Sequence, residues 1–294
     1  MDSIKIFIRG LLMGVCDLIP GISGGTIAFI TGIYIRLINA VHNVLAYLGG
    51  DLIKYLTLRK KTTFEGLKDD MRGLDVPFLA ILLLGILTSI LLGSKLIKFL
   101  LDYYFAYTIS FFVGLILASS KIIFDRIEKH DLRNMTFGVL GFALGFATVF
   151  IPEVSAEPTL PYVFLGGFLA ISAMFLPGIS GAFVLLVLGL YGFMIGALND
   201  MGGRFIYILA FVAGAMAGAA VISKLIVFLF KKDRCKTLYF LLGLVLGALS
   251  TPIKNIFGKT SVWTFEQAAI MVALAIVGIL AVLLISRKGN RKGS

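Results

Sequence analysis

The chain reads as long apolar runs parted by short polar connections, and two of the runs are interrupted midway by the same motif. The apolar segments cover about 4–18 and 25–47, then 76–101, 104–120 and 136–151. A second set covers about 161–176 and 181–198, then 205–230, 237–251 and 265–286. Several reach the roughly 17 to 25 residues with which a helix crosses ~30 Å of hydrocarbon. The first interruption is Ile19-Pro20-Gly21-Ile22-Ser23-Gly24-Gly25-Thr26, and the second is Leu176-Pro177-Gly178-Ile179-Ser180-Gly181-Ala182-Phe183. Proline removes a backbone donor and disfavours helix in the residue before it, while glycine opens conformations closed to other residues, so a helix stops and restarts at each copy. In hydrocarbon the freed N–H and C=O groups cost several kcal/mol each, which confines such a break to the protein interior or the edge of a polar cavity.

The repetition extends past the motif. Phe7, Gly10 and Leu12 stand 157 residues before Phe164, Gly167 and Leu169, and Gly32, Tyr34 and Ala40 stand 157 before Gly189, Tyr191 and Ala197. Further on the spacing drops to 129, pairing Gly85, Ser94, Lys95, Leu96 and Ile97 with Gly214, Ser223, Lys224, Leu225 and Ile226. The difference, 28 residues, is extra length in the polar loop near 51–75 of the first half. This is an internal duplication with one loop insertion.

Composition agrees with a polytopic all-α membrane protein: 59% of the 294 residues are hydrophobic and 15% charged, with a mean hydropathy of +1.00. The net charge of +11 implies no nucleic-acid partner, because a positive-inside bias accounts for it. Loops 51–75, 121–135 and 231–236, the tail after Ser286 and the N-terminal stretch hold twenty of the 27 basic residues. The connections at 102–103, 152–160, 199–204 and 252–264 hold only Arg204, Lys254 and Lys259. The first set is therefore expected in the cytoplasm together with both termini, and the second outside. That assignment requires each broken run to enter and leave on one side, as a re-entrant hairpin, because residues 4–18 supply only ~22 Å of helix. The expected architecture is two inverted-topology repeats, each a re-entrant hairpin and three transmembrane helices. Residues 1–135 hold the first repeat with its hairpin at about 4–47. Residues 136–294 open with the linking helix and hold the second, with its hairpin at about 161–198. Broken helices in inverted repeats are an architecture of secondary transporters, in which the break marks the substrate site.

The chemistry expected at the breaks follows from helix ends. A helix restarting after Pro-Gly-Ile-Ser-Gly presents backbone N–H groups and a positive dipole end, suited to a phosphate or carboxylate. The candidate binding residues are Asp17, Pro20, Gly21, Ser23, Gly24, Gly25 and Thr26 in the first copy and Pro177, Gly178, Ser180 and Gly181 in the second. The alternative is that these residues only cap the second half-helix and fill a tight crossing. Ionisable residues inside apolar runs are functional candidates as well. Asp17 lies three residues before Pro20, with an ion pair to Arg9 or Arg36 as its structural alternative. Arg36 lines the cavity or reaches the headgroups. Lys95 and Lys224 occupy equivalent positions, with snorkelling as the alternative, and Lys98 faces Val227 across the duplication. His42 and His130 have no partner cluster, so neither a metal nor a catalytic imidazole is expected, and no nucleotide or other cofactor motif occurs. The two cysteines, Cys16 and Cys235, imply no disulfide framework, and the N-terminus lacks a signal-peptide cleavage pattern.

The run Asp17-Leu18-Ile19-Pro20-Gly21-Ile22-Ser23-Gly24-Gly25-Thr26-Ile27-Ala28, followed by Gly32-Ile33-Tyr34, resembles the signature of the PopT-type polyprenyl-phosphate transporters of bacteria and archaea. The likeness covers nearly the whole chain and includes the second Pro-Gly-Ile-Ser-Gly. It implies a flippase, not an enzyme, that moves undecaprenyl phosphate from the outer to the inner leaflet of the plasma membrane to recycle the carrier lipid of cell-wall assembly. It also implies a general likeness to DedA-type transporters, which share paired re-entrant hairpins. The duplication is imperfect, since Asp17, Arg9, Arg36, Gly25 and Thr26 become Met174, Gly166, Phe193, Ala182 and Phe183. Two other classes stay open: a transporter or channel for a small soluble anion, and an intramembrane phosphatase or phosphotransferase using Ser23 or Asp17.

Overall fold

The structure is a computed structural model that describes residues 3–19, 22–47, 73–125, 127–152, 156–199, 201–259 and 264–290. Among these residues there is no strand. The first interrupted run forms three helices, α1 (Ser3–Asp17), α2 (Gly24–Ile30) and α3 (Tyr34–Ala46). The segment 25–47, expected as one returning helix, breaks again at Thr31-Gly32-Ile33, and α2 and α3 are bent by 119°. Gly32 sits at φ +75°, open to glycine and strained for other residues, which makes the corner possible. Then follow α4 (Val76–Tyr103), α5 (Phe105–Phe124) and α6 (Leu132–Ala147), the last continued by a 3-10 turn over Thr148–Phe150.

The second interrupted run repeats the first as α7 (Leu160–Phe175), α8 (Gly181–Val187) and α9 (Tyr191–Asn199), with its own extra corner at Gly189, φ +65°. After it come α10 (Met201–Lys232), α11 (Arg234–Ala248), α12 (Ser250–Lys259) and α13 (Phe265–Asn290). The connection expected over 252–264 is thus largely helical. Arg204, at φ −123° and ψ 16°, is non-helical inside α10, and its counterpart 129 residues earlier, Asp75, is the left-handed residue before α4. Asp233 starts α11 by accepting from the Lys236 amide at 3.0 Å, and bonds from the Lys236 ammonium and amide hold its carboxyl below the usual carboxylate range.

Six described helices are long and apolar enough to cross a membrane: Val76–Tyr103, Phe105–Phe124, Leu132–Phe150, Gly203–Lys232, Arg234–Gly258 and Phe265–Leu283. Their outer faces are apolar too, with Leu83, Leu84, Leu87, Leu91 and Leu92 exposed along α4, as a lipid-facing helix requires. The chain is a multi-pass membrane protein.

Glycine contacts show how the halves fit together. A Cβ on Gly10 would overlap the Leu82 carbonyl oxygen, and one on Gly85 that of Phe7, so α1 and α4 cross backbone to backbone. In α7 and α10 the equivalent glycines do the same, Gly167 against Phe211 and Gly214 against Phe164. The other two close pairs join helices on either side of the second interrupted run. Gly114 of α5 abuts the Ala275 carbonyl of α13, and Gly278 abuts Phe111. Gly243 of α11 abuts Gly138 of α6, and Gly141 abuts Phe240. The α13 helix therefore packs on α5 in the same register in which α6 packs on α11.

Candidate functional site: where the two helix breaks meet

At the first break α1 ends at Asp17 and the chain turns through Leu18 and Ile19, whose amides reach back to the Val15 and Cys16 carbonyls. Pro20 and Gly21 lie outside the described residues. Ser23 is extended, at φ −115° and ψ 138°, and α2 restarts behind it. The Gly24 amide donates to Asp17 Oδ1 at 2.7 Å and the Gly25 amide to Ser23 Oγ at 3.1 Å. The first two donors of the restart are thus taken by the chain itself, and a carboxylate already occupies the positive end of α2. A Cβ on Gly24 would stand 2.5 Å from Asp17 Oδ2, so glycine is what lets the carboxylate come this close. Ser23 is fully enclosed, and Gly24, Gly25 and Thr26 are buried.

The second break is built differently. Leu176 is extended, Pro177 is buried, Gly178 sits at φ +96°, and Ser180 precedes α8 without a side-chain cap bond. Met174 stands where the first half has Asp17. The polar partners come from the other half instead. The Gly178 amide donates to Thr26 Oγ1 at 2.8 Å, and Tyr34 OH donates to the Phe175 carbonyl at 2.8 Å. A Cβ on Gly25 would lie 2.6 Å from the Met174 carbonyl oxygen, so α2 runs directly across the end of α7. A helix end left inside a protein needs such partners, and the first half supplies those the second lacks.

This support is one-sided. Six of the seven α2 residues are buried and none of α8 is. Tyr34 is enclosed between Phe29 and Phe230, whereas its counterpart Tyr191 is exposed. The α3 helix packs on α10, while α9 and α4, the equivalent pair, show no comparable packing among the described residues. Ser180 and Gly181 are only half-buried.

Arg36 is engaged by residues outside the breaks. Its guanidinium grips Asp75 bidentately, Nε to Oδ2 at 2.6 Å and Nη2 to Oδ1 at 2.8 Å, and lies 4.2 Å from the centre of the Phe78 ring. The duplicated positions are Phe193, Arg204 and Tyr207, and there the cation has changed place: Arg204 lies 5.1 Å from the Phe193 ring, which packs edge-on against Tyr207. In both halves the trio ties the outgoing hairpin helix to the start of the next long helix. Lys95 and Lys224 are exposed on α4 and α10 and make no hydrogen bond or ion pair among the described residues. Sequence alone assigns no role to Tyr34 or Asp75. Tyr34 belongs to the repeated Gly-x-Tyr, a signal that was present. Asp75 sits in a polar stretch whose pairing only the fold brings about.

The fold and site define a multi-pass α-helical membrane protein whose two related halves meet at paired helix breaks. The chain belongs to the undecaprenyl phosphate translocase-like family, whose model matches residues 13–272. It is 36% identical over 249 residues to the polyprenyl-phosphate transporter of Vibrio cholerae serotype O1, covering 85% of this chain and 77% of that protein. It is 27% identical to the polyprenyl-phosphate transporter of Staphylococcus aureus, covering 95% of each. No solved structure matches it.

Proposed function

We infer that the chain transports a polyprenyl phosphate, undecaprenyl phosphate or a similar carrier lipid, from the outer to the inner leaflet of a bacterial or archaeal plasma membrane. The observation that carries this reading is the contact between the two breaks, Thr26 to Gly178, with one hairpin sealed around it and the other open. In a chain of two inverted repeats with re-entrant hairpins and cytoplasmic termini, the sealed hairpin and the α3–α10 contact lie on the cytoplasmic side and the open α8–α9 region on the outer side. The described conformation then faces outward. Transport consists of α9 closing on α4 while α3 leaves α10, so that the site at the breaks is exposed to one leaflet at a time.

The parts of the substrate find matching parts of the protein. The phosphate is received at Ser180 and Gly181, where no carboxylate among the described residues caps the helix start, and Asp17, Ser23, Gly24, Gly25 and Thr26 hold the opposite wall together with Pro177 and Gly178. Asp17 keeps the first restart occupied by its own charge, so the two breaks have different roles. The long apolar tail stays in lipid between α9 and α4, which among the described residues lack the packing that would exclude it. The chain acts as a transporter, not an enzyme: the Ser23 hydroxyl is enclosed and already bonded to the Gly25 amide, which leaves it no approach to a phosphate ester. Raising the level of the chain in bacterial cells should lower the amount of polyprenyl phosphate open to an impermeant phosphate-binding probe on the outer face. An unchanged outer pool at confirmed expression would contradict the reading.

A further inference from the structure

A cavity of about 300 Å³ lies between α3 and the corner where α10 passes into α11. Its wall includes Ile38, Val227 and Phe230, and its polar edge is Asn39 from α3 with Lys231 and Arg234 from the corner. Among the described residues the two cations at this edge have little counter-charge. Asp233, the carboxylate between the two cations, is bound by Lys236 at 2.8 Å. Arg234 meets Glu128 alone among the described residues, at 3.8 Å, with both side chains more than half exposed, a pair that holds little. Lys231 has no ion pair among the described residues. The duplication does not account for the pair either, since the positions 129 residues earlier are Asp102 and Phe105. The cavity also touches the central site: the Phe230 ring lies 6.2 Å from that of Tyr34, whose hydroxyl holds the Phe175 carbonyl beside the second break.

We propose that this cavity is a second phosphate subsite, distinct from the helix breaks, in which Lys231 and Arg234 bind the phosphate monoester of a prenyl lipid and the apolar wall takes its first isoprene units. The proposal deepens the transport reading given above and rests on it. A fork of guanidinium donors beside a flexible ammonium matches a phosphate, and the apolar wall distinguishes an esterified phosphate from the free ion. On the cytoplasmic side, this is where the headgroup pauses on leaving the breaks. Its arrival displaces Phe230 and, through Tyr34, loosens the seal between the halves.

The test is equilibrium binding of farnesyl phosphate to the full chain in nanodiscs of zwitterionic lipid, with farnesol and inorganic phosphate as competitors. The parent should bind, and Lys231→Gln and Arg234→Gln should each weaken binding about tenfold, the loss expected for one charge-assisted hydrogen bond. Lys231→Arg should retain most of the affinity and shows that the position tolerates change. Lys232→Gln, one residue away and directed at Phe228, should match the parent. Farnesol should not compete, and inorganic phosphate should need on the order of 100-fold higher concentration. Parent-like binding by both glutamine variants overturns the subsite and leaves the transport reading standing. Equal competition by inorganic phosphate overturns the lipid assignment of the cavity. A parent that binds no farnesyl phosphate overturns the subsite, whereas the transport reading stands or falls with the exchange of a polyprenyl phosphate between leaflets.

Discussion

Thr26 and Gly178 stand 152 residues apart in opposite halves of the chain, and the Thr26 hydroxyl oxygen accepts the Gly178 amide at 2.8 Å. Thr26 is almost fully enclosed, and its counterpart by duplication, Phe183, has no oxygen to return the bond. Replacing Thr26 by Val keeps the shape and removes the acceptor, which leaves a backbone amide unpaired at a cost of about 1–3 kcal/mol. Thr26→Val should therefore lower the thermal midpoint of the solubilised protein and slow transport, while Thr26→Ser should stay near the parent on both. Equal behaviour of the two variants would make the contact incidental.

Asp17 and Ser23 hold the first restart by accepting the Gly24 and Gly25 amides. Asp17→Asn keeps an acceptor but removes the charge over the helix start, and Ser23→Ala removes a cap worth about 1 kcal/mol. Both should reduce transport severalfold with near-normal expression, because neither empties core volume. Transport equal to the parent in both variants would return this break to a purely structural part.

Lys95 and Lys224 are the ionisable pair kept by the duplication, 19 residues past Val76 and 20 past the non-helical Arg204 respectively, or ~30 Å of helix each. The inverted arrangement expected from the loop charges would put them near the outer and inner headgroup levels, and both are exposed and without an ion pair among the described residues. A flexible ammonium there can hand a phosphate over without clamping it. Lys95→Gln should slow uptake from the outer leaflet, and Lys224→Gln should slow exchange at the inner one. Leaflet-resolved rates that match the parent for both would leave only snorkelling.

The orientation has its own check. Cysteines introduced at Glu157 and Lys232 should react with an impermeant maleimide from opposite sides of the membrane. Labelling of both from outside would exclude the inverted arrangement.

The sequence showed the long helices, the two breaks and the spacings of 157 and 129, because each rests on local chemistry: apolar length, proline, glycine. What it could not show are meetings across the fold. The tie of Tyr34 to Phe175 depends on how α2 lies across α7, and the grip of Arg36 on Asp75 spans the inserted loop. The second corner was legible in part, since Gly32 and Gly189 repeat, but a lone glycine in an apolar run reveals its positive φ only once the chain turns there. Applying the spacings to Arg36, Asp75 and Phe78 leads to Phe193, Arg204 and Tyr207. That correspondence was readable, yet the change of an ion pair into a ring contact means nothing until both trios are seen in place.

Transport itself is tested most directly in liposomes holding the purified chain and a polyprenyl phosphate labelled at its phosphate, with a probe that reads one leaflet only. The account predicts that the chain speeds exchange of this lipid between leaflets well above protein-free liposomes and leaves a labelled bulk phospholipid unmoved. It also predicts that Thr26→Val lowers the rate. Exchange no faster than in empty liposomes, or equal acceleration of the bulk phospholipid, would contradict it.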